Sequence, residues 1–284
     1  MSNYQKYKYL LSKTYEETVN FLLQKYGPAQ DDYFRESSYQ RFIDGEIKNI
    51  TKGKYSRTNE GLYCHHIDEI KDLNISNQKY IKKYKYSFEY QKKERLVFCD
   101  LIEHTILHVL ITKETSEEFG YPGYLAHLKP LIELWYLDEI IPKPKWMKNC
   151  YNKSFLNPQD AFYILKDMQK VLGEDYYENI SDYYEEIKKR EEERIQLKKR
   201  IEQRRNDERI RSIKSAQLLH NKSPRQAIVS AIYDLEYKNS REFSYIEHEN
   251  EYKEFDKKMK IYPKDDILEE LKKYLASLPE VDTE

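Results

Sequence analysis

The sequence predicts a mainly α-helical protein with one small strand–loop–strand–helix unit and a long charged helix towards the C-terminus. Three observations predict this. Glycine and proline are scarce, 7 and 9 in 284 residues, which disfavours turn-rich barrels and repeated βαβ units. Apolar side chains recur at helical spacing behind capping pairs over most of the chain. Only between residues 62 and 99 does the pattern change to short apolar-aromatic runs of strand type.

Residues 1–60 form the first helical region. Thr14 and Glu17 make a capping box; Tyr15, Val19, Leu22, Leu23 and Tyr26 follow at helical spacing until Gly27-Pro28 ends the helix. A second helix is expected to carry Tyr33, Phe34, Phe42 and Ile43. A basic stretch, 48–57, then leads into the turn signal Thr58-Asn59-Glu60-Gly61. Region 61–115 is the exception. Leu62–Ile67 and Leu96–Cys99 read as strands separated by a Lys/Tyr-rich insertion, and Asp100 with Glu103 caps a helix running to about Thr112.

Residues 116–180 read as an accessory helical region with apolar clusters such as Leu131, Ile132, Leu134 and Trp135. Region 181–222 reads as the long charged helix, because no glycine follows Gly173 and no proline lies between Pro158 and Pro224. Asp182 and Glu185 offer its cap, and twelve basic residues face eight acidic ones between Glu185 and Lys214. Ile187, Leu197 and Ile201 hint at heptads, but Arg190, Arg194 and Glu208 interrupt the seam. A solvated, salt-bridged helix is therefore favoured over a coiled-coil homodimer through 181–222. Region 223–284 is expected to add two or three helices.

Charged residues make up 35% of the chain, but 49 basic and 50 acidic side chains leave a net charge of −1. Any nucleic-acid surface must therefore be local. No apolar run approaches the ~20 residues that span a bilayer, and the N-terminal residues lack the apolar segment of a signal peptide. Cys64, Cys99 and Cys150 make no disulfide framework. The expectation is a cytoplasmic protein with no membrane partner. Cys64 and Cys99 read as small buried apolar residues rather than zinc ligands, since neither belongs to a CxxC pair.

The histidines carry the chemistry. Four of the seven, His65, His66, His104 and His108, lie between residues 65 and 108. Adjacent strand residues point to opposite faces, so His65 and His66 have different tasks, one towards a metal and one towards substrate. His104 and His108, at i and i+4, share one helix face and can converge on one divalent ion. A third nitrogen from the strands gives three protein ligands and leaves positions open, as a catalytic site requires.

The run Tyr63-Cys64-His65-His66-Ile67-Asp68, then Arg95-Leu96-Val97, then Glu103-His104-Thr105-Ile106-Leu107-His108 resembles the HNH (ββα-metal) nucleases. The likeness is greatest to the colicin-type variant with a His-His pair and a terminal H-x3-H. It covers residues 61 to about 112 and implies a small ββα-metal core within the mainly α fold. It also implies a metal-dependent endonuclease of a bacterium or its mobile elements, with DNA as partner. On this likeness His65, His104 and His108 hold the metal (Mg, Mn, Ni or Zn), and His66 is the general base for the attacking water.

One position departs from the pattern: the asparagine that ties the loop and orients the base is replaced by Arg95, after a loop of 28 residues. Arginine has donors but no acceptor, so it cannot reproduce two-way bonding, though it can bind phosphate. Arg95 is therefore placed with His66 in the catalytic set. It also motivates the alternative, a non-catalytic nucleic-acid-binding or interaction protein on a degenerate HNH scaffold. Lys52, Lys54 and Arg57, just before the first strand, are the candidate DNA contacts.

Overall fold

Two reciprocal capping boxes open the chain. Ser2 accepts from the Gln5 N–H to cap α1 (Asn3–Leu11), and Thr14 accepts from the Glu17 N–H to cap α2 (Tyr15–Tyr26); each is worth about 1 kcal/mol. Gly27, at φ 78°, turns the chain out of α2 in a conformation that costs glycine least. The computed structural model describes residues 2–236 and 245–278.

The second helix is shorter than its apolar spacing suggests. α3 spans Glu36–Ile43, while Tyr33 and Phe34 precede it and Phe34 forms an antiparallel bridge with Lys52. Burial explains the misreading: Phe34 still joins Tyr39, Phe42, Ile50 and Ile81 in one cluster, with Tyr33 packed against it. An extended residue can supply the same apolar surface as a helical one.

β1 (Tyr63–His66) and β2 (Leu96–Cys99) pair antiparallel, Tyr63 opposite Cys99 and His66 opposite Leu96. The insertion between them holds α4 (Gln78–Tyr84) and three short 3₁₀ turns. It is anchored inside the protein, for Ile75, Ile81 and Gln91 have no solvent exposure.

Asp100 and Glu103 form the expected capping box at the start of α5 (Leu101–Glu114). This helix is apolar almost all round: Leu101, Ile102, Ile106, Leu107, Val109, Leu110 and Ile111 are fully buried. A helix without a polar face belongs inside a protein, and each such side chain contributes about 1.5–3 kcal/mol by leaving water. α6 (121–137) follows and contains π-helical turns at Tyr124–Leu128 and Glu133–Leu137. α7 (Lys145–Lys153) and α8 (Pro158–Val171) complete the region. α1, α2, α6 and α8 all pack on α5.

The chain divides into two units, Met1–Tyr183 and Tyr184–Glu284. The first gathers the regions 1–60, 61–115 and 116–180, because α5 is their common core.

The long helix α9 (Ile180–Gln217) has 38 residues. Its cap lies three residues earlier than Asp182: Asn179 Oδ1 accepts from the Asp182 N–H at 3.0 Å, and the Asp182 carboxylate accepts from the Asn179 N–H at 3.4 Å. Asp182 is thus the last residue of the box, not its first. Residues 188–200 are all exposed, Leu197 at 57%, and Arg190–Glu186 and Arg194–Glu191 pair along the surface. Within the second unit, Ile213 and Ala216 of α9 pack with α10 (Arg225–Glu236), α11 (Tyr245–Met259) and α12 (Lys264–Ser277). Residues 237–244 and 279–284 of the expected region 223–284 lie outside the described residues. Among the described residues, no helix is long and apolar enough to cross a membrane.

Candidate metal centre

Strand alternation and helix periodicity bring three histidines together. The ring centroids of His65 and His104 are 5.2 Å apart, those of His65 and His108 5.4 Å, and those of His104 and His108 5.0 Å. One nitrogen from each ring lies within 4.8 Å of the other two, a group able to hold a metal ion.

Hydrogen bonds fix which nitrogens are bare. The Tyr15 hydroxyl gives its single proton to the Ile67 carbonyl at 2.9 Å, and His65 Nε2 lies 2.9 Å from the same oxygen. Tyr15 therefore accepts from His65 Nε2–H, which leaves the Nδ1 lone pair free. His108 Nδ1 is 3.1 Å from the Gly120 carbonyl, which can only accept, so the lone pair of neutral His108 lies on Nε2. His65 Nδ1 and His104 Nδ1 are buried with no hydrogen-bond partner.

Burial holds His65 neutral, its pKa lowered to about 3, and pushes His104 well below the ordinary histidine range. Metal ligation requires neutral imidazoles, and oxygen acceptors on the far nitrogens orient such ligands, as Tyr15 does for His65 and Gly120 for His108. The donor set therefore fits a divalent ion. Gly123 lets His108 sit there, because a Cβ on it would stand 2.7 Å from His108 Cε1 and Nδ1.

Glu69, on the 3₁₀ turn that follows β1, was not picked out by motif spacing. Its Oε2 is 3.3 Å from His108 Nε2 and 3.7 Å from His65 Nδ1, and its Oε1 is 3.9 Å from His66 Nδ1. Burial pushes its pKa up, but its closeness to His108, with His65 and His66 nearby, outweighs burial and leaves it lowered, so the carboxylate is an anion.

His66 leaves the three-histidine cluster. Its ring packs edge-on against Tyr33, centroids 4.5 Å apart, and its Nε2 lies 3.1 Å from Gln91 Oε1. The Gln91 amide nitrogen donates to the Ile75 carbonyl at 2.7 Å, so Oε1 is an acceptor and His66 carries its proton on Nε2. Its Nδ1 lone pair is bare and turned towards Glu69. Burial lowers the pKa of His66. Gln91 lies in the long insertion, where no motif points to it; Tyr15 reads from sequence only as part of an apolar helix face.

Arg95 is bonded to Asp68 rather than to a histidine. Its guanidinium grips the Asp68 carboxylate with two hydrogen bonds, Nε to Oδ2 at 2.5 Å and Nη2 to Oδ1. Lys52 is exposed, with Nζ 5.6 Å from the centroid of Tyr33, the ring that packs on His66. Lys54 is exposed as well. Arg57 is committed elsewhere, to Glu60 through two bonds and to the Tyr26 carbonyl at 2.6 Å, and its guanidinium lies over the ring of Phe98.

Cys64, Cys99 and Cys150 are free thiols, and none belongs to a metal-binding group among the described residues. A pocket of about 680 Å³ opens elsewhere, at the first turn of α5, lined by Tyr7, Lys25, Tyr26, Asp100, Glu103 and Lys153 among others. Comparison with protein-family models, with curated proteins and with solved structures finds no match to this chain.

Proposed function

We propose that the chain is a metal-dependent endonuclease that hydrolyses DNA phosphodiester bonds at a three-histidine centre. One observation carries this reading. Two of the three clustered rings have their lone pairs fixed by fixed acceptors, and a fourth histidine beside them, His66, is oriented to present a bare Nδ1. A cluster of core histidines needs neither arrangement.

His65, His104 and His108 would hold the ion. When bound, a divalent Mg, Mn, Ni or Zn ion supplies Lewis-acid stabilisation of charge on the scissile phosphate and the leaving 3′ oxygen. His66 Nδ1 takes a proton from the water that attacks phosphorus, the P–O3′ bond breaks, and the 5′ phosphate stays on the other product. Gln91 holds His66 in the required tautomer. The exposed Lys52 and Lys54 neutralise neighbouring phosphates, and Lys52 reaches the site through Tyr33.

A non-catalytic nucleic-acid-binding scaffold is favoured instead by one fact, that His66 is only 2% exposed. Plasmid nicking with each of Mg²⁺, Mn²⁺, Ni²⁺ and Zn²⁺ separates the two. The nuclease reading expects nicking that His66→Ala abolishes while DNA retention in a gel shift persists. Nicking unchanged in His66→Ala sinks the mechanism, and DNA binding without cleavage under every metal establishes the scaffold.

A further inference from the structure

We propose that Glu69 is a displaceable fourth ligand of the three-histidine centre, occupying the place that a phosphate group takes when substrate binds. This rests on the metal reading of His65, His104 and His108. Glu69 Oε2 and His108 Nε2 are 3.3 Å apart, and with His108 Nδ1 donating to Gly120 two lone pairs face each other. Such an arrangement needs a cation between them. A proton on His108 would serve that pair alone and leave His65 Nδ1 and His104 Nδ1 buried and unpartnered.

A metal ion held by the three rings satisfies the His65 Nδ1 and His108 Nε2 lone pairs and the Glu69 carboxylate together. Ligand atoms ~2.0–2.2 Å from a tetrahedral ion lie ~3.3–3.6 Å from one another, and Glu69 Oε2 stands 3.3 Å from His108 Nε2 and 3.7 Å from His65 Nδ1.

The other oxygen makes the ligand one that must leave. Oε1 lies 3.9 Å from His66 Nδ1, so the carboxylate spans the metal ligands and the bare nitrogen of His66. An attacking water and a phosphate need that same space. Glu69 keeps 17% side-chain exposure and His108 12%, while His65 has none, so the carboxylate lies on the side of the centre that solvent reaches. In the proposed displacement it turns towards solvent while the histidines stay in place. A tetrahedral phosphate monoanion or diester would replace one anionic oxygen donor by another.

The test uses the full chain loaded with Co²⁺, whose visible absorption reports coordination, with chelator competition for affinity and inorganic phosphate as the probe of the fourth position. Glu69→Gln and Glu69→Ala are expected to weaken Co²⁺ binding roughly 10–100-fold, to change its spectrum, and to bind phosphate at least about tenfold more tightly than the unaltered chain. His104→Ala reports on the centre itself. Co²⁺ binding that is lost in His104→Ala but identical in both Glu69 variants overturns this inference and leaves the three-histidine centre standing. Weaker Co²⁺ binding with unchanged phosphate affinity overturns the displacement. No Co²⁺ binding by the unaltered chain overturns both.

Discussion

Arg95, at the entrance to β2, holds Asp68, two residues beyond the end of β1, through two parallel hydrogen bonds. The pair closes the base of the 28-residue insertion and fixes the turn that carries Glu69. The Asp68 side chain is 2% exposed, and Lys71 is its other cation. Burial raises the Asp68 pKa, but the bonds from Arg95 and Lys71 outweigh it and leave it lowered. Arg95→Ala is expected to cost about 1–3 kcal/mol in denaturant unfolding, the range for a hydrogen-bonded charged partner with part of the guanidinium in solvent. Asp68→Asn with Arg95→Ala is expected to cost clearly less than the two single losses added, and strict additivity would show that the pair does not couple.

Two contacts, from residues four apart, fix the loop and the His66 ring. Arg95 ties the loop, and Gln91 accepts from His66 Nε2 at 3.1 Å. On the proposed reading of His66 as general base, Gln91→Leu is expected to lower kcat for DNA cleavage about 10–100-fold, the usual effect of removing an orienting partner, with KM little changed. Gln91→Glu places an anion beside the same proton and is expected to move the acid limb of the pH–rate profile upward. Profiles identical among all three proteins would assign Gln91 a purely structural place in the loop.

Gly123 tests the centre without touching a ligand. Its φ is −66°, which any residue adopts, so the only objection to a side chain is the His108 ring 2.7 Å from the added Cβ. Zn²⁺ at 100 times its Kd is expected to stabilise the unaltered chain by about 2.7 kcal/mol. Gly123→Ala is expected to keep its helical circular dichroism but lose most of that gain. An equal metal-induced rise in Tm would mean that His108 is not a ligand.

What the sequence discloses and what it hides divide along a physical line. The capping boxes of Thr14 and Asp100, the strand pair and the i, i+4 histidines are local patterns, and each stands where its spacing places it. Tyr33 and Phe34 mislead because apolar burial alone does not distinguish a helix from a bridged segment. Tyr15, Glu69 and Gln91 reach the histidines across 50, 4 and 25 residues respectively. Tyr15 and Gln91 are selected by tertiary packing that no spacing encodes. Glu69 alone had a local signal, an acid one turn beyond the His-His pair.

Asp100 gives the protein a pH dependence of its own. It caps α5 by accepting from the Glu103 N–H at 2.9 Å, it accepts from the Tyr7 hydroxyl at 2.9 Å, and it is 3% exposed. Burial, with the Glu103 carboxylate adding to it, pushes its pKa up to about 8, against ~3.9 in an unfolded chain. The folded protein thus holds a proton that the unfolded one has lost. This contribution to stability is complete below about pH 4, falls as pH rises, and is gone above about pH 8. The depressed His65 works the other way, losing stability as pH falls below 6.5, so the informative window lies from about pH 6.5 to about pH 8. There the unaltered chain is expected to lose stability steadily in urea titrations. Asp100→Asn keeps a capping side chain and cannot ionise, so its midpoint is expected to stay flat across that window. An equal decline in both proteins would place the titrating group elsewhere.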